Sequence, residues 1–94
     1  MTRLESDTVP YLPRGVRLHH CDVRQGWFLL APERAVKLDP IGVAILNEID
    51  GTRALGNVVT NLSQAFGAPE DQVSKDTRHF VNDLLGRRMM EVRA

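Results

Sequence analysis

Apolar residues in this chain change spacing near residue 40, from alternation to a three-and-four repeat, and the change separates a strand-forming half from a helix-forming half. From Val16 the spacing is two. Val16, Leu18 and His20 fall on one side and Arg17, His19 and Cys21 on the other, as a half-exposed strand requires. Arg24-Gln25-Gly26 then supplies a turn with glycine expected at its positive-φ position, and Trp27, Phe28, Leu29 and Leu30 form a denser second strand. Pro32-Glu33 reverses the chain again, and Arg34 to Leu38 alternates into a short third strand that completes an antiparallel meander.

Asp39-Pro40 opens the helical half: the carboxylate accepts from free amides of the first turn, and proline sits where its missing N–H costs nothing. Ile41, Ala44, Ile45 and Ile49, with Leu46 alongside and Val43 at the margin, make a stripe expected to face the sheet until Gly51 ends the helix. Leu55, Val58, Val59, Leu62 and Phe66 make a second stripe, closed by Gly67. Ala54 and Gly56 are weak choices for its first turn, so its start should fray unless Thr52 caps it. A third helix opens at Pro69-Glu70-Asp71, buries Val73, Thr77, Phe80, Val81 and Leu84, and has Arg87 and Arg88 at its negative end. Met89 to Val92 is either a last helical turn or a small closing strand.

The fold class expected from this order is α+β: a three-stranded antiparallel meander followed by a three-helix bundle packed on one face of the sheet, an outline shared with winged helix-turn-helix domains. Residues 1–13, polar and broken by Pro10 and Pro13, read as a flexible N-terminal arm, with Tyr11 and Leu12 able to tuck against the body; 14–94 is then the folded domain.

Composition narrows the function. Ninety-four residues make one small domain with little room for a deep active site. Twelve basic and twelve acidic side chains cancel, where a nucleic-acid binder carries a basic excess. On the third helix Glu70, Asp71, Asp76 and Asp83 outnumber Lys75 and Arg78, which opposes a phosphate backbone. Cys21 is alone, so no internal disulfide framework exists; no apolar run nears the roughly 18 residues of a membrane span, and no signal-peptide pattern opens the chain. A cytoplasmic location, with no membrane partner, is the expectation.

Chemistry-bearing residues are sparse. His19 and His20 are neighbours on a strand and point to opposite faces, His79 is remote, and no zinc site is expected. No phosphate loop, nucleophile elbow or paired-carboxylate arrangement occurs, so the chain reads as a non-enzyme without a cofactor. Glu33-Arg34 suits the turn it occupies, Asp50 is placed to accept from the amides that follow it, and Trp27 reads as the edge of the core.

The stretches Arg14-Gly15-Val16-Arg17-Leu18, Trp27 to Arg34, Leu38-Asp39, Ala44-Ile45-Leu46, Ile49 to Arg53 and Asp76-x-x-x-Phe80-Val81-x-x-Leu84 resemble those of the PqqD family of pyrroloquinoline quinone (PQQ) biosynthesis, the founding type of the peptide-binding domains called RiPP recognition elements. The resemblance runs from about Pro13 to Val92; Ala54, Gly56 and Met89-Met90 depart from the family's pattern. It implies a non-catalytic peptide chaperone that captures the precursor peptide PqqA and presents it to PqqE, a radical S-adenosylmethionine enzyme that would own the iron–sulfur chemistry. It also implies a peptide lying along the free edge of the third strand against the third helix, and so on Arg34, Ala35, Val36, Lys37 and Leu38 and on Arg78, Val81, Leu84 and Leu85. An unpaired strand edge suits such a guest physically. With Lys37 the only charge inside that strand, the edge also invites a homodimer, by edge pairing or by exchange of the N-terminal arm. Two rivals stand beside this reading: a winged-helix DNA-binding regulator, and a tether that joins two proteins and binds no peptide.

Overall fold

The computed structural model describes residues 4–93, in the order β1 (Val9–Tyr11), β2 (Arg17–Cys21), β3 (Gly26–Ala31), β4 (Arg34–Leu38), α1 (Pro40–Glu48), α2 (Leu55–Phe66), α3 (Glu70–Gly86) and β5 (Glu91–Arg93). β2, β3 and β4 form the expected antiparallel meander in that spatial order, and β1 pairs antiparallel with β5 as a separate two-stranded sheet. The fold is α+β, and the closing segment after α3 is a strand. At the β2–β3 turn Gln25 takes the left-handed backbone, with φ 53, and not Gly26. Gly26 is already paired with Cys21, so the turn spans the four residues between them, and its last residue makes the reversal.

Leu29, Leu38, Leu46, Leu55, Val81 and Leu84 meet between the meander and the helices, joined by Met89 and Met90. Ile45, Val58 and Leu62 form a second cluster, with Val73 and Phe80 partly buried against it. Each such side chain contributes about 1.5–3 kcal/mol on full burial. Two members of the expected stripes lie outside the core: Ile41 is 60% exposed and Phe66 66%. They stand in the first turn of α1 and the last of α2, on a groove shared with Ala44 and Ala68, whose side chains are too short to cover them.

The helix starts separate what is local from what is not. Asp39 caps α1 as expected, its Oδ1 accepting from Gly42 N–H at 2.7 Å. Thr52 does not cap α2. Its hydroxyl and amide both donate to Asp50 Oδ1, at 2.9 Å each, and the Arg53 amide does the same. These donors, the Thr52 amide foremost, hold the Asp50 carboxyl down at about 2.

The N-terminal segment caps α2 instead. The Leu55 amide donates to Thr8 O at 2.7 Å and the Gly56 amide to Ser6 O at 2.8 Å. A Cβ on Gly56 would stand 3.2 Å from Ser6 O, so the glycine that weakens the helix lets this segment approach. Leu4 joins the main core at 8% exposure, Pro10 is fully buried, and Leu12 packs against the same cluster. From residue 4 onward the expected arm is therefore folded onto the body; its first three residues, like Ala94, lie outside the described residues. Composition missed this because the segment's apolar residues are few but each finds a place prepared by distant parts of the chain. Tyr11 OH donates to Glu91 Oε1 at 2.8 Å, which raises the phenol above its usual 10, and Arg93 lies over the Tyr11 ring at 4.9 Å.

Candidate peptide-binding edge

β4 is an outer strand of the meander, and its pairing with β3 decides which of its main-chain groups are free. Only Pro32 and Glu33 separate Ala31 from its partner Arg34, and a two-residue connection requires that flanking pair to exchange both main-chain hydrogen bonds. Stepping by two, Leu29–Val36 and Trp27–Leu38 are bonded in the same way, whereas Leu30–Ala35 and Phe28–Lys37 are the unbonded pairs. Ala35 and Lys37 therefore turn their N–H and C=O groups away from β3. Two donors and two acceptors face outward along this edge.

Side chains alternate with the same period. Val36 is half-buried and Leu38 buried on the face toward the helices, while Ala35 and Lys37 are exposed on the other face. Arg34 shares the inner face, and its Nη1 donates to Arg87 O at 3.3 Å at the C-terminus of α3. Past the opposite end of β4, Gly42 in the first turn of α1 lies so close to α3 that a Cβ there would stand 3.1 Å from the Phe80 ring. α3 thus passes beneath the inner face of β4, where Leu38 shares a core cluster with Val81 and Leu84. Shallow hollows lie beyond the two ends of β4, the first beside the C-terminus of α3 and the second between α1 and α3. One of about 320 Å³ is lined by Pro32, Arg34, Arg87 and Arg88, among others, and one of about 350 Å³ by Asp39, Ile41, Phe80 and Asp83, among others.

The structure gathers the expected site residues unequally. Arg34, Ala35, Val36, Lys37 and Leu38 are all on the outer strand. Val81 and Leu84 are fully buried in the core with Leu38, and Leu85 packs half-buried against that cluster, so these three hold α3 to the sheet from inside. Arg78 is engaged elsewhere: Nε donates to Ser74 Oγ at 3.0 Å, Nη1 to Leu4 O and Nη2 to Ser6 Oγ at 3.4 Å. It fastens the N-terminal segment and does not reach β4. The α3 residues that border these hollows are Asp76, His79, Phe80 and Asp83, with Arg87 just past the helix end. Asp76, Phe80, Asp83 and Arg87, three or four apart, mark one helical face with His79 at its margin, but nothing local says what that face will meet.

Elsewhere the polar side chains make local structure. His20 Nδ1 lies 3.1 Å from Asp22 Oδ1, and its ring meets the 40%-exposed Trp27 edge-on at 5.0 Å. Among the described residues no group of three or more His, Cys, Asp or Glu is arranged to hold a metal ion, and no helix is long and apolar enough to cross a membrane.

The family model described as Coenzyme PQQ synthesis protein D (PqqD) matches residues 26–90. A protein of Rhizobium meliloti (strain 1021) named PqqA binding protein is 43% identical over 89 residues, which is 95% of this chain and 91% of that one. The solution NMR structure of the PqqD truncation of Methylobacterium extorquens PqqCD, described as a functional and stand-alone RiPP recognition element, superposes with a TM-score of 0.82 at 36% identity, covering 96% of each chain. The crystal structure of PqqD from Xanthomonas campestris gives a TM-score of 0.58 at 34% identity, covering 93% of this chain and 97% of that one.

Proposed function

Because the chain belongs to the PqqD family, we propose that it is a non-catalytic carrier in PQQ biosynthesis that binds the precursor peptide PqqA as an added strand on β4 and presents it to the radical S-adenosylmethionine enzyme PqqE. The observation that carries the binding step is the outward pair of Ala35 and Lys37 on a strand whose inner face is braced by α3. An extended guest satisfies those four groups without disturbing the ladder to β3. The names of the Rhizobium protein and of the Methylobacterium domain support a peptide guest. Presentation to PqqE rests on the family resemblance, and the iron–sulfur chemistry belongs to that enzyme.

Four main-chain hydrogen bonds at about 0.5–1.5 kcal/mol each supply roughly 2–6 kcal/mol. A micromolar complex needs about 8 kcal/mol, and ordering a flexible peptide costs several more. Side-chain burial beside the edge must provide the difference.

Amide hydrogen exchange with and without saturating PqqA tests the reading. Exchange at Ala35 and Lys37 slows when the guest pairs with them, while Val36, already bonded to Leu29, changes little. Equal exchange at Ala35 and Lys37 in the free and loaded protein, under conditions where calorimetry shows binding, removes strand addition.

A further inference from the structure

We propose that the groove among the three helices is a second subsite for PqqA: it takes a large apolar side chain from the part of the peptide that runs on past the strand-paired stretch, after a basic residue has crossed the intervening surface. The inference rests on the strand-addition reading and extends it. The groove has a volume of about 280 Å³ and is lined mainly by Ile41, Ala44, Ile45, Leu62, Phe66 and Val73. That is slightly below the roughly 300–1,000 Å³ of small-molecule sites, and suits one or two side chains. Ile41 and Phe66, two of the large hydrophobic residues the fold leaves exposed, stand on this one groove. Leaving both in water is costly, and an apolar side chain lodged between them recovers that cost.

Position and charge select the occupant. The groove shares Ile41, Ile45 and Asp76 with the hollow at the Asp39 end of β4, so the two are continuous. A chain leaving the β4 edge beyond Lys37 meets that hollow first and the apolar groove next. The hollow is lined by Asp39, Asp76 and Asp83, with His79 and with neither Lys nor Arg. Asp83 is partly balanced by Arg87 at 3.3 Å, and Asp39 and Asp76 each accept a neutral donor, so the surface keeps its negative sign. A basic residue is favoured there and an acidic one opposed. The guest then reads, outward from its paired stretch, as a basic residue followed by a large apolar one.

Calorimetry and NMR with synthetic PqqA test this on the whole chain. Phe66→Ser and Ile41→Ser alter exposed side chains, so helical circular dichroism is retained, and each weakens PqqA about tenfold, because each removes one lip of the burial. Nuclear Overhauser contacts link one apolar side chain of the peptide to methyls of Ile45, Leu62 and Val73. Asp76→Asn with Asp83→Asn weakens binding by up to about fivefold and flattens its salt dependence. Wild-type affinity in both lip variants, with Ala35 and Lys37 still protected by peptide, overturns the subsite and leaves strand addition standing. Absence of protection at Ala35 and Lys37 in the wild-type complex overturns both. A dimer that Phe66→Ser dissociates, with PqqA affinity unchanged, gives the groove to a second copy and overturns the subsite.

Discussion

Proline placed successively along β4 separates inward from outward amides. Val36→Pro deletes the N–H that bonds Leu29 and sets a ring against β3. Leu29 is fully buried, so its carbonyl is left without a partner, which costs about 1–3 kcal/mol. With the ring's clash the total comes to about 3 kcal/mol or more. Ala35→Pro and Lys37→Pro remove N–H groups that face outward, where a strand edge tolerates proline, and cost the fold less than Val36→Pro does. Their effect falls on the guest. One lost hydrogen bond of about 0.5–1.5 kcal/mol raises Kd roughly two- to twelvefold, and the ring's obstruction of adjacent pairs carries it beyond tenfold. Urea unfolding followed by Trp27, the sole tryptophan, reports stability, and isothermal titration with PqqA reports capture. A Val36→Pro protein as stable as wild type, or wild-type affinity in both outward variants, refutes the reasoning.

Three further expectations concern the frame around the edge. Leu4→Ala destabilises by about 2–3 kcal/mol in urea, because Leu4 is a core residue; a change within 0.5 kcal/mol would mean that the N-terminal segment does not pack. Tyr11, the only tyrosine, titrates by ultraviolet absorbance above 10, and Glu91→Gln returns it toward 10 by removing the carboxylate acceptor. Its folded pKa is raised, so its contribution to stability is full below 10 and lost as pH rises through the folded value. Asp50 has the opposite sign: its pKa is lowered from 3.8 to about 2, so its contribution is full above 3.8 and lost as pH falls through about 2. The melting-temperature difference between wild type and Asp50→Ala should therefore be constant above pH 5 and shrink as the pH approaches 2; a pH-independent difference would contradict that assignment.

The two halves of the chain, the meander, the turn at Pro32-Glu33, the Asp39 cap and Gly67 at the end of α2 are all legible in the sequence, because each is signalled by spacing or turn residues close together along the chain. The family resemblance, carried by several such local stretches, is legible for the same reason. Tertiary structure decided the rest. That Ala35 and Lys37 face outward requires the pairing of Ala31 with Arg34; that α3 turns Phe80 toward Gly42 of α1, and Arg78 toward Ser6, requires the angle at which the helix settles on the rest of the fold. That Ser6 and Thr8 cap α2 joins residues about fifty positions apart, and the exposure of Ile41 and Phe66 depends on how far neighbouring helices overlap. Spacing states that a residue is apolar and which of its neighbours share its face, but only packing between distant segments determines what that face meets.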